Sequence, residues 1–218
     1  MSGRPGAVIF DCDGVLVDSE TLMSVVFSGM LTELGLPYSP DDTIRTFMGR
    51  SMVSCMLIVE QQLGHPAPAD FLQRLDVRAG DAFARDLQAV PGVETLLDLL
   101  DVHGIPYAVA SSGSHGKMQT TLGLTGLLPR LEGRITSATE VAHGKPSPDV
   151  FLLAAERLDM PADECLVIED SLLGIEAALA AGMRVIGYAA MTDAGAMRAA
   201  GATHVVTTMD EIPALLAL

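Results

Sequence analysis

The sequence predicts an α/β fold, a Rossmann-like parallel sheet with helices on both faces, interrupted by an inserted α-helical domain. Three observations carry this reading. Short apolar runs rich in Val and Ile alternate with helical patterns of about ten to fifteen residues, the signature of right-handed βαβ units. The first such run, in "AVIFDCDGVLVDSE" (Ala7 to Glu20), leads instead into a long stretch of helical spacing. The alternation resumes only at "VPGVETLLDLLDVHG" and continues to the end of the chain. Residues 1–17 and 89–218 therefore make the core, and residues 18–88 are an insertion into it.

The first strand is an unbroken apolar run stopped by Asp-Gly, the pattern of a strand buried on both faces. In the insertion, "ETLMSVVFSGMLTELGL" has helical apolar spacing, with Asp18 or Ser19 as N-cap and Gly35 near the stop. Further helices are expected around Asp41 to Met48, Ser51 to Leu63 and Pro68 to Leu87. In the core, strands are expected in "IPYAVASS", "RITSA", "ECLVIED", "MRVIGYA" and "HVVTT". Helices are expected from about His115, from Pro148, from Leu172, near Asp193 and at the end. A helical domain on two linkers, leaving the sheet directly after paired acids, is placed to open and close over a site there.

Composition narrows the partners. The 218-residue chain carries a formal net charge of −15, which speaks against nucleic acid and anionic membranes, since both need basic patches. An acidic protein that takes an anionic substrate needs a bound metal and a few placed cations. No apolar run reaches the roughly eighteen residues of a membrane span, and "MSGRPG" lacks a signal-peptide apolar region, so a cytoplasmic protein is expected. Cys12, Cys55 and Cys165 are too scattered for a zinc site or disulfide framework. Alternation turns Cys12 away from its acidic neighbours. A monomer is expected, because the helical domain must move.

The chemistry collects at the carboxyl ends of the strands, where open α/β sheets bind ligands. Asp11 and Asp13, two apart on an extended chain, point the same way and reach one small volume. Like charges that close call for a cation or a shared proton, and oxygen ligands beside a phosphate suit Mg²⁺. A turn alone would account for Asp13-Gly14 but leaves Asp11 unexplained. The second strand ends in Ser111, Ser112 and Gly113, whose hydroxyls and backbone N–H groups can hold phosphate oxygens. Lys145, in "HGKPSPDVF", is one of two lysines among thirteen basic residues; the other is Lys117. A compact ammonium at Lys145 could bridge a carboxylate nucleophile and a phosphate. Glu169 and Asp170 close "CLVIED", directly after four residues of buried strand; one of them could cap the next helix, leaving the other without that role. Together these ends hold the inventory for Mg²⁺-assisted attack on a phosphate group.

"DCDGVLVDSE", "VIEDSLLGIEAA", "GKPSPDVF" and "ASSG" together resemble the haloacid dehalogenase superfamily. The likeness is to its helical-cap branch, near the β-phosphoglucomutase-like and 6-phosphogluconate phosphatase-like proteins. The resemblance implies that Asp11 is the nucleophile forming an aspartyl-phosphate. It implies that Asp13 protonates the leaving oxygen and then activates water, that Ser111 with Ser112 and Gly113 holds the phosphoryl group, and that Lys145 neutralises charge. It implies Mg²⁺ on Asp11, the Asp13 backbone carbonyl and Asp170, with Glu169 as ligand or neighbour. Asp13 itself separates the chain from the dehalogenases, which lack a second aspartate there. The related mutases carry a histidine ten residues after that aspartate; here the position is Met23.

The expected activity is therefore a Mg²⁺-dependent phosphatase of a small phosphorylated metabolite, a sugar phosphate or sugar-acid phosphate. The alternatives are a sugar phosphomutase, and a non-catalytic ligand-binding or receiver-like signalling domain. Arg50, in "MGRSM", is the preferred cation for a distal substrate group, with Glu20, Ser114 and His115 as further candidates. Aromatics are few in the insertion, which weighs against nucleobase stacking, with Phe27, Tyr38 and Phe47 as the candidate contacts.

Overall fold

The computed structural model describes residues 4–47, 50 and 52–218. In chain order, β1 (Ala7–Phe10) is followed by α1 (Ser19–Glu33), α2 (Pro40–Phe47), α3 (Met52–Leu63), α4 (Phe71–Asp86) and α5 (Val93–Val102). Then come β2 (Tyr107–Ser111), α6 (His115–Leu124), α7 (Leu128–Leu131), β3 (Ile135–Ser137) and α8 (Asp149–Arg157). The chain closes with β4 (Cys165–Glu169), α9 (Leu172–Ala180), β5 (Arg184–Tyr188), α10 (Ala194–Ala199), β6 (His204–Val206) and α11 (Ile212–Leu215). The expected helices of the insertion reached Met48 and began at Ser51, and both positions lie outside the described residues. The four-residue α7 was not expected; "LPRL" is too short to show a period.

All six strands are parallel and lie in the order β3-β2-β1-β4-β5-β6. The connections run outward from β1 through β2 to β3, then return to the other side of β1 for β4. That reversal makes the crevice between the carboxyl ends of β1 and β4 the topological switch point. Register fixes what stands there: Phe10 pairs with Ile168, so the residues that follow, Asp11 and Glu169, are lateral neighbours. The Asp11 N–H donates to the Ile168 carbonyl at 3.0 Å.

The strands are apolar throughout because helices cover the sheet; every residue of β1, β2 and β4 is buried. On one face, Ala7 and Ile9 of β1 and Val167 of β4 pack with Val150 and Phe151 of α8 and Ile175 of α9. Period-two alternation sends Val8 and Phe10 to the other face, where the Phe10 ring meets Tyr107 edge-on at 6.4 Å.

The chain divides into two compact units, Met1–Asp18 with Gln88–Leu218, and Ser19–Leu87. At the crossing, the Asp18 N–H donates to the Gln88 carbonyl and the Val90 N–H to the Leu16 carbonyl, both at 3.0 Å. The outgoing and returning chain are thereby tied side by side. The helical unit has its own core of Phe27, Met30, Leu31, Phe47, Cys55, Val59, Phe71 and Leu75. Phe27 stacks edge-on against Phe47 at 5.0 Å, so both rings are spent on packing rather than offered to a ligand. Among the described residues, no helix is long and apolar enough to cross a membrane.

Leu97 on α5 is fully buried. Leu97→Ala is expected to cost about 2–5 kcal/mol through lost burial and the cavity left behind. Urea unfolding of the two proteins measures it; a loss below about 1 kcal/mol would mean that the site collapses freely.

Candidate active site

Asp11 leaves β1 with its carboxylate almost wholly enclosed, and Lys145 answers it. The Lys145 Nζ donates to Asp11 Oδ1 at 2.6 Å and to Glu169 Oε1 at 2.6 Å, and its side chain is only 5 % exposed. The same ammonium lies 4.8 Å from the centre of the Phe151 ring, an apolar floor with a favourable π face. The second oxygen of Glu169 accepts from the Ser171 N–H at 2.7 Å, and the Ser171 hydroxyl caps α9 by accepting from the Gly174 N–H at 3.0 Å. Among the described residues, no buried side-chain nitrogen or oxygen lacks a partner.

One ammonium between two buried carboxylates leaves the group net negative, and the protonation balance reflects it. The Asp11 carboxyl is pushed up from 3.8 to about 7, first by burial and then by the Glu169 charge, with Lys145 opposing. Burial alone would pull Lys145 down, but Asp11 and then Glu169 outweigh it and hold the ammonium above the ordinary lysine range. Carboxylate oxygens of Asp11, Glu169 and Asp170 come within 4.8 Å of one another. An all-oxygen donor set carrying excess negative charge fits a hard dication such as Mg²⁺. The loop behind Asp170 is anchored by Thr192, whose hydroxyl donates to the Asp170 carbonyl at 2.6 Å.

Asp13 lies beyond the first strand, where Gly14 turns the chain at φ 78°, a conformation that favours glycine. Its Oδ2 accepts from Lys117 Nζ at 2.7 Å. Lys117 is a functional candidate that the sequence reading passed over. The signal was present in its rarity: both lysines of the chain sit on carboxylates of the first motif. Cys12, between the two acids, is fully buried, and burial followed by the Asp13 and Asp11 charges pushes its thiol well up, which leaves it unreactive.

The serine loop after β2 is ordered by its own hydrogen bonds. Ser111 is buried and its hydroxyl accepts from the Gly113 N–H at 3.1 Å, while Ser112 is exposed. The Gly113 carbonyl accepts from the Ser137 hydroxyl at the end of β3 at 2.7 Å. A Cβ placed on Gly113 would lie 3.4 Å from Ser111 Oγ and 3.7 Å from Asp13 Oδ2, so the loop and the first motif share one volume. Two expected substrate contacts have structural partners. Ser114 caps α6 by accepting from the Lys117 N–H, and the His115 Nε2 pairs with Glu140 at 2.7 Å.

The structure thus brings Asp11, Asp13, Ser111, Gly113, Lys145, Glu169 and Asp170 together at the strand ends. Glu20 and Arg50 belong to the helical unit. Glu20 is half-buried in the first turn of α1, and Arg50 is exposed with its Nε donating to the Thr46 carbonyl at 2.9 Å.

A profile of the haloacid dehalogenase-like hydrolases matches residues 8–188, nearly the whole of this arrangement. The chain belongs to that family. A curated member, the 6-phosphogluconate phosphatase of Escherichia coli, is 30% identical over 190 residues, covering 86% of this chain and 84% of that one. Among solved haloacid dehalogenase-like structures, an Agrobacterium tumefaciens protein of unknown function shares 35% identity at a TM-score of 0.90, with 97% of each chain covered. A β-phosphoglucomutase-like protein of Thermotoga maritima shares 30% identity at a TM-score of 0.81, covering 97% of this chain and 98% of that one.

A carboxyl whose folded pKa lies above its unfolded value contributes stability at low pH that is lost as pH rises towards the folded value. Without metal, the protein should therefore lose stability relative to Asp11→Asn between about pH 4 and pH 7, from the shift at Asp11. Thermal melts of both proteins in a chelating buffer across that window test this. A difference that stays flat with pH would show that the Asp11 carboxyl is not raised.

Proposed function

We propose that this protein is a Mg²⁺-dependent phosphatase of small phosphorylated metabolites, a sugar phosphate or sugar-acid phosphate, working through an aspartyl-phosphate on Asp11. That the chain is a phosphoric monoester hydrolase follows from its family and from its phosphatase relative. The observation that carries the finer reading is the Lys145 ammonium joined to both Asp11 and Glu169, with Asp170 in the same carboxylate trio.

Asp11 and Asp170 would hold the ion with the Asp13 backbone carbonyl, and Glu169, each of whose oxygens already accepts one donor, would serve as ligand or neighbour. Bound there, Mg²⁺ would supply charge neutralisation and orientation for the phosphoryl oxygens. The chain's own residues do the rest. Asp11 Oδ attacks phosphorus, the P–O bond to the leaving alcohol breaks, and Asp13 gives that oxygen its proton. Asp13 then takes a proton from water as it attacks the acyl phosphate, freeing inorganic phosphate and Asp11. Ser111 and the loop N–H groups hold the phosphoryl oxygens, and Lys145 offsets charge on the side facing the nucleophile. The inserted helical domain is assigned substrate choice, with Arg50 as its cation and Glu20 as a further contact.

The mutase reading draws on the Thermotoga neighbour, but Met23 opposes it. Met23 packs against the helical unit's apolar core and offers no proton donor or acceptor where the mutases carry histidine.

Phosphate release from a panel of sugar phosphates and sugar-acid phosphates, with and without Mg²⁺, should be metal-dependent. It should fall by at least about 10³-fold in Asp11→Asn, as for loss of a nucleophile that acts with its partners as a unit. Turnover by the unchanged protein that ignores Mg²⁺ or survives in Asp11→Asn would overturn the mechanism. Turnover of none of the panel would overturn the sugar-phosphatase reading.

A further inference from the structure

The first turn of α9 is built around the Glu169 carboxylate. A Cβ on Gly174 would lie 1.7 Å from Glu169 Oε1, 1.9 Å from its Cδ and 2.5 Å from Oε2, inside the carboxylate itself. Gly174 has no left-handed φ, so its backbone would accept any residue, and helix propensity alone would favour alanine there. What the position demands is empty space. The same turn supplies the Ser171 N–H that binds Glu169 Oε2, and the Gly174 N–H holds the Ser171 hydroxyl in place as the cap.

We propose that Gly174 is a positioning residue for the reaction, acting through Glu169 on Lys145 and so on the nucleophile. The clearance at Gly174 lets the Glu169 carboxylate lie flat on the turn with Oε1 directed at Lys145. Held from that side, the ammonium meets Asp11 and Glu169 equally, at 2.6 Å each, and its direction on Asp11 is fixed. A methyl group at position 174 displaces Glu169. Lys145 then has Asp11 as its one remaining carboxylate of this pair, the ammonium pivots about that contact, and the nucleophile is misaimed. The inference rests on the phosphatase reading for its kinetic consequence but not for its geometry.

Gly174→Ala should lower kcat by about 10–100-fold, the usual cost of losing a group that orients a reacting residue. KM should change by less than about three-fold, because no group expected to touch the substrate is altered. Glu169→Asp, one methylene shorter, withdraws the carboxylate from the position of the new methyl. In that background Gly174→Ala should cost less than about three-fold in kcat, a coupling expected only of residues in contact. A glycine needed merely for helix packing would impose the same loss in both backgrounds, and that result, or wild-type kcat in Gly174→Ala, would overturn the proposal. If Gly174→Ala does not fold, the double variant should fold and melt with Glu169→Asp; its failure to do so would equally overturn it. Should the unchanged protein turn over no substrate, the phosphatase reading falls. The crystal structure of Gly174→Ala then decides this inference by itself, with Lys145 Nζ moved from between Asp11 and Glu169 in support and unmoved against.

Discussion

Two carboxylates placed side by side in a buried crevice call for a cation or a proton between them, and the Lys145 ammonium is that cation here. Parallel pairing of β1 with β4 puts Asp11 beside Glu169 whatever the rest of the chain does. Their repulsion at low dielectric would oppose the register that packs the core. Lys145 relieves it with one hydrogen bond to each, which lets an apolar sheet end in a charged crevice. The relief is incomplete: one ammonium serves two buried carboxylates, Asp11 and Glu169. The residual negative charge is what makes the place fit for a dication, and the strand order makes it the switch point of the sheet.

Much of this was legible in the sequence for a definite physical reason. Strands covered on both faces are continuous apolar runs, so their ends, and therefore the residues of Asp11, Ser111 and Glu169, can be counted off directly. The short α7 could not be, because four residues carry no period. Lys145 stood out by rarity in a chain that otherwise uses arginine, and Lys117 had the same rarity. It was passed over because it lies inside a helical pattern, where a lysine is normally solvated, and only the folding of α6 beside the first motif brings it to Asp13. Ser114, expected among the substrate contacts, also caps α6: a serine after a strand can serve either end, and only the fold shows its hydroxyl accepting from the Lys117 N–H. Gly174 was read as part of a motif but not as a space, since the carboxylate that fills the space is visible only in three dimensions.

The helical unit follows a different logic from the core. Its aromatic residues are drawn inward: Phe27, Phe47 and Phe71 form the centre, and Met23 packs against them. The faces of Phe27, Phe47 and Phe71 are therefore not free for stacking, which weighs against recognition of a nucleobase by this unit. Arg50 remains its candidate cation, although its Nε bond to the Thr46 carbonyl means that binding would have to use the remaining guanidinium donors.

The acidity of the whole protein sharpens the demand on the site. A net charge of −15 repels an anionic substrate at long range, though salt screens that field beyond about 8 Å under physiological conditions. At short range both lysines are already engaged, Lys145 with Asp11 and Glu169 and Lys117 with Asp13. They neutralise the protein's own carboxylates more than they attract a phosphate dianion. On the proposed mechanism, an ion at Asp11 and Asp170 would therefore supply charge neutralisation for the substrate's approach as well as for the transfer itself. If the proposed mechanism holds, metal would matter for substrate binding as much as for chemistry, because the fold has used its lysines to hold the carboxylates together.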